Sequence, residues 1–295
     1  MIPFSTHAPK PKRMHKSVEE KYEIIQNPSP NFDERNGIIR FVILHYTGMK
    51  SQEAALKLLC DKDPRRVNYN NDVVQVPKPN PDGSVVAPPP NLHRVSAHYL
   101  VYDDGRIFQL VDESKRAWHA GGGDYAGVKD MNSHSIGIEI ANGGHDFGIP
   151  DFPVAQINSV MWLVEQIKKR HGLDKQHIIG HADWAPKRKL DPGEKFPWQK
   201  FADRGISLNI PHSKEDNDKT ILASLIGTSN DYVLRAQKGL KMIGYGVNLN
   251  GIYDLDFTPV LVAFQRRFRQ SDVMGLLDVD TLGKIERLAK IVSPA

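Results

Sequence analysis

One cysteine, Cys60, is all the chain offers in 295 residues. No intrachain disulfide can form, and a thiolate-rich metal site is excluded with it. Cys60 lies in the apolar-periodic run EAALKLLC, where it reads as a small packed hydrophobe. Long apolar stretches are also missing: none approaches the roughly 20 residues that a membrane-spanning helix needs. The opening MIPFSTHAPKPKRMHKS is basic but lacks the apolar stretch of a secretory signal. Charge of one sign is scarcely in excess, with 39 Lys+Arg against 35 Asp+Glu and a net charge of +4. The basic residues are spread rather than striped, so nucleic acid is not an expected partner. What remains has the composition of an ordinary globular protein, long enough for one large domain or two unequal ones.

Residues 1–37 are rich in proline and charge and read as an extended N-terminal arm. IIRFVILHYTG then gives a β-branched, nearly continuous apolar run, the mark of a strand buried on both faces. SQEAALKLLC follows as a helix, with Ser51 placed to cap it and Glu53 in its first turn. The proline-dense segment 64–94 can form neither a central strand nor a helix, and reads as a long loop that rims a site. VSAHYLVYDDGRIFQLV reads as two strands turned at Asp104-Gly105, and SIGIEIA as another strand. VAQINSVMWLVEQIKKRHG has helical spacing, a basic end and a glycine stop at Gly172. QHIIGH is a further short strand and FPWQKFADRG a closing helix. This alternation implies an α/β unit with a mixed central sheet flanked by helices over residues 38–205. A polar linker at 206–219 and a small all-α, three-helix domain at 220–295 complete the expected organisation, with helices near 231–243, 258–270 and 279–292.

The stretch IIGHADWAPKRKLDPG poses the chemical question. Pro186 and Pro192 bar a continuous helix, and the apolar Ile178 and Ile179 argue against a disordered loop. A short buried strand ending at His181, then a stiff surface loop with Lys189 and Asp191, is the remaining reading. Of the twelve histidines, His45 and His181 stand apart, because each follows an aliphatic run and so falls at a strand end, where side chains converge on a crevice. Two imidazoles and one carboxylate with an open fourth position make a catalytic zinc pattern, and Asp191 can supply the carboxylate. Hydrogen-bonded strand caps would explain the same histidines without a metal. Glu139, between Ile138 and Ile140, faces the opposite way from both. An unpaired carboxylate there is costly; it is either a general base with a raised pKa or a structural partner of a buried donor. His7, His15, His93, His134, His145, His171, His177 and His212 have no context that lifts them above ordinary surface or packed residues.

HYTG at 45–48, SAHYLVYDDGRIFQLV at 96–111, AWHAG at 117–121, SIGIEIAN at 135–142 and GHADWAPKRKLDPG at 180–193 together resemble the zinc-dependent N-acetylmuramoyl-L-alanine amidases. These are type 2 amidases, with the fold of T7 lysozyme and the peptidoglycan-recognition proteins, and the likeness is greatest to the AmiD-like branch. The resemblance implies one catalytic Zn²⁺ with ligands His45, His181 and Asp191, a catalytic Glu139, and Lys189 as the group that holds the oxyanion. It implies Trp118, His119, Tyr46 and His98 as substrate-binding positions, with His98 supporting the site from its strand. LRAQKGLKMIGYGVNLNGIYDLDFTPVLVAFQRRF is similar to the three-helix peptidoglycan-binding module, although its spacing departs from that pattern around 270–280. The implied function is hydrolysis of the amide between N-acetylmuramic acid and L-alanine in peptidoglycan or muropeptides. The alternative is a recognition module that binds without cutting. A monomer is expected. A polymer-binding tail favours the cell envelope, while the lack of a visible signal favours the cytoplasm.

Overall fold

The structure is a computed structural model that describes residues 22–62 and 94–293. The proline-dense loop up to residue 93, the first 21 residues, and with them His7, His15 and His93, lie outside the described residues.

A six-stranded sheet forms the centre, in the order β1-β5-β4-β7-β3-β8. Its strands are β1 (Ile24–Gln26), β3 (Phe41–Tyr46), β4 (Tyr99–Val101), β5 (Ile107–Gln109), β7 (Ser135–Ile140) and β8 (Ile178–Gly180). A second ladder pairs β2 (Phe32–Glu34) with β6 (Lys115–Ala117), antiparallel. The helices of this part are α1 (Gln52–Cys60), α2 (Met131–His134), α3 (Val154–His171), α4 (His181–Trp184) and α5 (Trp198–Asp203). Ser51 caps α1 by accepting from the Ala54 amide at 3.2 Å, and Gly172 closes α3 in the left-handed conformation.

Strands β7, β3 and β8 run parallel, which is why they are buried on both faces and rich in aliphatic residues. The period-two alternation sorts their side chains. Val42, Leu44, Ile136, Ile138, Ile140 and Ile178 pack on the face that α3 covers, against Ile157, Val160, Leu163, Val164 and Ile167. Phe41, Ile43 and Ile179 point to the other face, and so do His45 and Glu139, their neighbours in the same alternation.

Three features correct the organisation read from the sequence. The N-terminal arm is no arm over its described part: Ile24–Gln26 adds an edge strand parallel to β5, and Phe32–Glu34 pairs with β6. The linker is not loose either. Ile206, Ser207 and Leu208 are buried, and Asp216 binds Lys284 and Arg287. The tail adds a short ladder, β9 (Ile221–Ala223) with β10 (Leu277–Asp278), to its helices α6 (Asp231–Ile243), α7 (Phe257–Phe268) and α8 (Val279–Val292).

Nor does the tail hang apart. Phe41, Ile43, Tyr125, Ile179 and Trp184 share one continuous core with Val233, Leu240, Tyr245, Phe264 and Leu288. The apolar face of the sheet that α3 leaves uncovered is thus closed by the C-terminal helices. Phe264→Ala is expected to cost about 3–5 kcal/mol and to shift the same cooperative thermal transition as Ile43→Ala. Calorimetry resolving two transitions, each moved by one variant only, would contradict the shared core.

Candidate active site

The sheet register builds the site. His45 and Glu139 are direct neighbours on β3 and β7, and Leu44 faces Gly180, so His181 emerges beside His45 where β8 ends. Three chemically active side chains therefore leave the C-terminal ends of three adjacent parallel strands, on the face away from α3. His181 does not prolong the strand as expected; it opens the single turn of α4, which stops before Pro186. From there the chain returns, and Asp191 comes back to meet it. The loop is not a surface loop at that point, since Asp191 is only 5% exposed.

His45 Nδ1, His181 Nδ1 and Asp191 Oδ2 converge. The two nitrogens are 2.9 Å apart and each lies 3.0 Å from the carboxylate oxygen. The far side of each ring decides where its proton sits. His181 Nε2 donates to the Ala120 carbonyl at 2.9 Å, which leaves a bare lone pair on Nδ1. For His45 the chain of bonds is longer. Ser135 Oγ donates to the Met131 carbonyl at 2.6 Å, so it accepts from His119 Nε2 at 3.3 Å. His119 Nδ1 is then an acceptor, and His45 Nε2 donates to it at 3.0 Å. His45 also presents a lone pair from Nδ1. Burial, then the facing His181 ring, pushes the His45 imidazole down to about 4, so it stays neutral. Burial raises the Asp191 carboxyl, whereas positive charge or N–H donation from the facing imidazoles lowers it, so its ionisation depends on a positive charge at the centre of the trio.

Asn132 supports both rings at once. Its Oδ1 accepts from the amides of His119 and Ala120 at 3.0 and 2.8 Å, fixing the dipeptide that carries the partner of His45 and the partner of His181. Gly137 on β7 makes room for it, because a Cβ there would stand 2.4 Å from the His119 ring.

Glu139 is the second carboxylate. Its Oε2 is buried and has no hydrogen-bond partner among the described residues. Burial, reinforced by the Asp191 charge, raises its carboxyl to about 8, while the Lys189 charge opposes that rise. Lys189 is half-buried on the return loop, its amide bonded to the Ala185 carbonyl at 3.0 Å. The two carboxylates of the site are thus driven in opposite directions, the usual preparation for two different roles.

Comparison with known proteins fits this geometry. Residues 35–194 match the family described as N-acetylmuramoyl-L-alanine amidase. The chain is 34% identical over 213 residues to the N-acetylmuramoyl-L-alanine amidase AmiD of Escherichia coli, covering 66% of this chain and 74% of that protein. This chain belongs to the N-acetylmuramoyl-L-alanine amidases. The 1,6-anhydro-N-acetylmuramyl-L-alanine amidase AmpD of Haemophilus influenzae is 32% identical over 184 residues, 60% of this chain and 89% of its own. Among solved structures, AmiD from E. coli, in complex with the substrate anhydro-N-acetylmuramic acid-L-Ala-D-gamma-Glu-L-Lys, superposes with a TM-score of 0.63. That match has 29% identity and covers 86% of this chain and 89% of that one. AmpDh3 from Pseudomonas aeruginosa superposes with a TM-score of 0.62 at 25% identity, covering 94% and 99%.

The softer assignments of this amidase fare unevenly. His98 is fully buried; its Nδ1 accepts from the Gly137 amide at 3.0 Å, so it braces β7. Trp118 donates its indole N–H to Asp33 Oδ2 at 2.6 Å, which ties it to β2 rather than to the converging trio. His119 has both ring nitrogens engaged in orienting His45. Tyr46 is half-buried beside the site and donates to His145 Nδ1 at 2.9 Å; His145 in turn contacts Glu194 at 3.1 Å. His145, unremarkable in the sequence, therefore orients a rim residue. The only signal for it was its place in the glycine-rich turn after β7.

The raised Glu139 carboxyl has a consequence for stability. Its folded value of about 8 lies above the ordinary 4.5, so across that interval the folded state binds more protons than the unfolded state. Stability then falls as pH rises through the window. Glu139→Gln removes the titration. In metal-stripped protein the variant should gain on the wild type steadily between pH 4.5 and about 8, as read from urea unfolding. Parallel stability curves for the two proteins would show that Glu139 is not held protonated.

Proposed function

We propose that this amidase uses one zinc ion, held by His45, His181 and Asp191, to cleave the amide between the lactyl group of N-acetylmuramic acid and the L-alanine of the stem peptide. The observation that carries this is the meeting of three acceptor atoms with no proton to share among them. Both Nδ1 protons are excluded by the bonds on the opposite ring nitrogens, so neither imidazole offers the carboxylate an N–H. Such a cluster is repulsive unless a cation occupies its centre. Two nitrogens and one oxygen, leaving a further position open, suit catalytic zinc; a tetrahedral set at Zn–N of about 2.0–2.1 Å has ligand atoms spaced by about 3.3 Å, close to the separations in this trio. Structural matches to AmiD in complex with an anhydromuramoyl peptide and to AmpDh3 in complex with anhydromuramic pentapeptide support muropeptides as the substrate class.

Bound zinc would supply Lewis acidity, lowering the pKa of water and polarising the scissile carbonyl. The protein's own groups do the rest. Glu139, set beside His45 with a free buried oxygen and ionised once the cation's charge offsets its raised carboxyl, takes the proton of the attacking water. Lys189 meets the negative charge that develops on the carbonyl oxygen. Glu139 then returns the proton to the alanine nitrogen as the C–N bond breaks. His119 and Ala120 keep the two imidazoles turned so that Nδ1 faces the centre, a supporting role rather than a substrate contact.

Defined muropeptides incubated with the full chain, with and without a zinc chelator, test the reading by mass spectrometry. Release of an intact stem peptide with a free L-alanine terminus, abolished by chelator and restored by zinc, is the expected result. Binding of muropeptides without cleavage, in zinc-loaded protein, would replace the enzyme by a recognition module. Lys189→Ala should retain zinc and lose roughly a hundred- to a thousandfold in kcat; near-normal turnover removes Lys189 from the mechanism. Asp191→Ala should lower zinc occupancy, and full occupancy by metal analysis would break the ligand set.

A further inference from the structure

Two of the three candidate ligands and Lys189 share one segment, residues 181–196, which has little regular structure beyond α4. Its inner side is held by the Ala120 carbonyl, which accepts from His181 Nε2 and from Trp184 Nε1 at 3.1 Å. Its outer side is held by the C-terminal helix α7. Arg267 Nη1 donates to Asp183 Oδ2 at 2.8 Å, and the two side chains are 3% and 2% exposed. Asp183 stands two positions beyond His181. The same Oδ2 accepts from the Gly180 amide at 2.8 Å, closing the turn that His181 opens, and its Oδ1 accepts from the Tyr245 hydroxyl. Arg267 Nη2 also donates to the Ile178 carbonyl at 2.7 Å, in the edge strand that leads to His181. Its guanidinium lies 4.5 Å from the centre of the Trp198 ring.

The far end of the segment is held from the same helix. Arg266 Nε donates to Glu194 Oε2 at 3.3 Å. Gln270 Nε2 donates to the carbonyls of Glu194 and Phe196 at 2.5 and 2.7 Å. One stretch of α7 and its C-terminal continuation thus grips the chain just after His181 and just after Asp191. The seam is tight: the void lined by Asp183, Asp191, Gly193, Ala263, Arg266 and Arg267 amounts to about 10 Å³, room for at most about one water.

We propose that α7 is a positioning element of the metal centre, with Arg267 and Arg266 fixing the separation of His181 from Asp191. This rests on the reading of the trio as a zinc site. The C-terminal helices then act on zinc affinity, whatever they also do with substrate. The physical reason is preorganisation. A site whose ligands are held within about 0.5 Å of their bound positions spends little of the binding free energy on ordering them. A segment freed at both ends must be ordered by the ion itself, and the affinity falls.

The test uses the full chain, stripped of metal, with zinc affinity measured by chelator competition well below the thermal midpoint. Arg267→Met combined with Asp183→Asn removes the clamp without leaving a lone buried charge, a replacement that buried pairs often tolerate. Arg269→Met with Asp278→Asn and Asp280→Asn is the control. It removes a buried ion cluster, with contacts of 2.6 and 2.9 Å, that lies within the tail and touches none of the ligand segment. The first pair should weaken zinc binding about tenfold or more, as loss of outer supports does, and the second should leave it unchanged. If the first pair fails to fold, Arg266→Met with Gln270→Ala should weaken zinc binding in the same direction. Wild-type affinity in the folded clamp variant, or in this milder pair where the first does not fold, overturns the proposal. So does an equal loss in the control. A wild-type chain that binds no zinc overturns the metal reading and this inference together, whereas tight wild-type binding with insensitive variants overturns the inference alone.

Discussion

Three acceptor atoms held within 3.0 Å of one another, with no proton among them, form the constraint on which the rest of the structure depends. Left to water, two imidazoles and a carboxylate at such separations would take up a proton. The fold prevents this on two levels. Burial penalises the charged imidazole, and the hydrogen bonds on the outer ring nitrogens fix the tautomer that leaves Nδ1 bare. Each of these needs backbone placed to order. The Ala120 carbonyl, the Asn132 amide oxygen and Ser135 all lie on the 117–135 excursion between β6 and β7. Gly137 exists as glycine because that excursion presses the His119 ring onto the strand.

The same constraint explains the divergence of the two carboxylates. Asp191 converges on the two imidazoles, where a positive charge at their centre would favour its ionised form. Glu139, one strand over, faces no donor, and feels Asp191 as a like charge in a poorly solvated place. Parallel pairing makes the arrangement possible, since residues in register on β3 and β7 must point the same way. An antiparallel neighbour could match the alternation but would present its strand start, not its strand end. The crevice arises where three strands stop together.

Much of this was legible in the chain because it depends on short-range pattern. Continuous aliphatic runs marked β3, β7 and β8, and a histidine at the end of two of them marked the crevice. Helices α3, α6, α7 and α8 were visible from apolar spacing and from glycine stops such as Gly172. What the pattern could not show depends on partners distant in sequence. Ile24–Gln26 is too short to signal a strand, and becomes one only because β5 offers an open edge. The burial of Arg267 against Asp183 requires knowing that α7 packs against α4. His98 and His119 both belong to the resembling motifs, yet one braces a strand and the other orients His45. Motif membership does not distinguish touching substrate from supporting what does.

The tail bears on how accessory modules attach. The Haemophilus relative fits 89% of its length onto 60% of this chain. In this chain the C-terminal helices are not tethered beside the amidase unit. They close the face carrying Phe41, Ile43 and Ile179, and they bury Asp183 with an arginine and a tyrosine. A sheet face so apolar cannot be uncovered without exposing the kind of patch that drives association. Asp183 stripped of Arg267 would be a buried charge without a counter-ion. Once the tail shares the core, any displacement of α7 would also move the chain that holds His181 and Asp191.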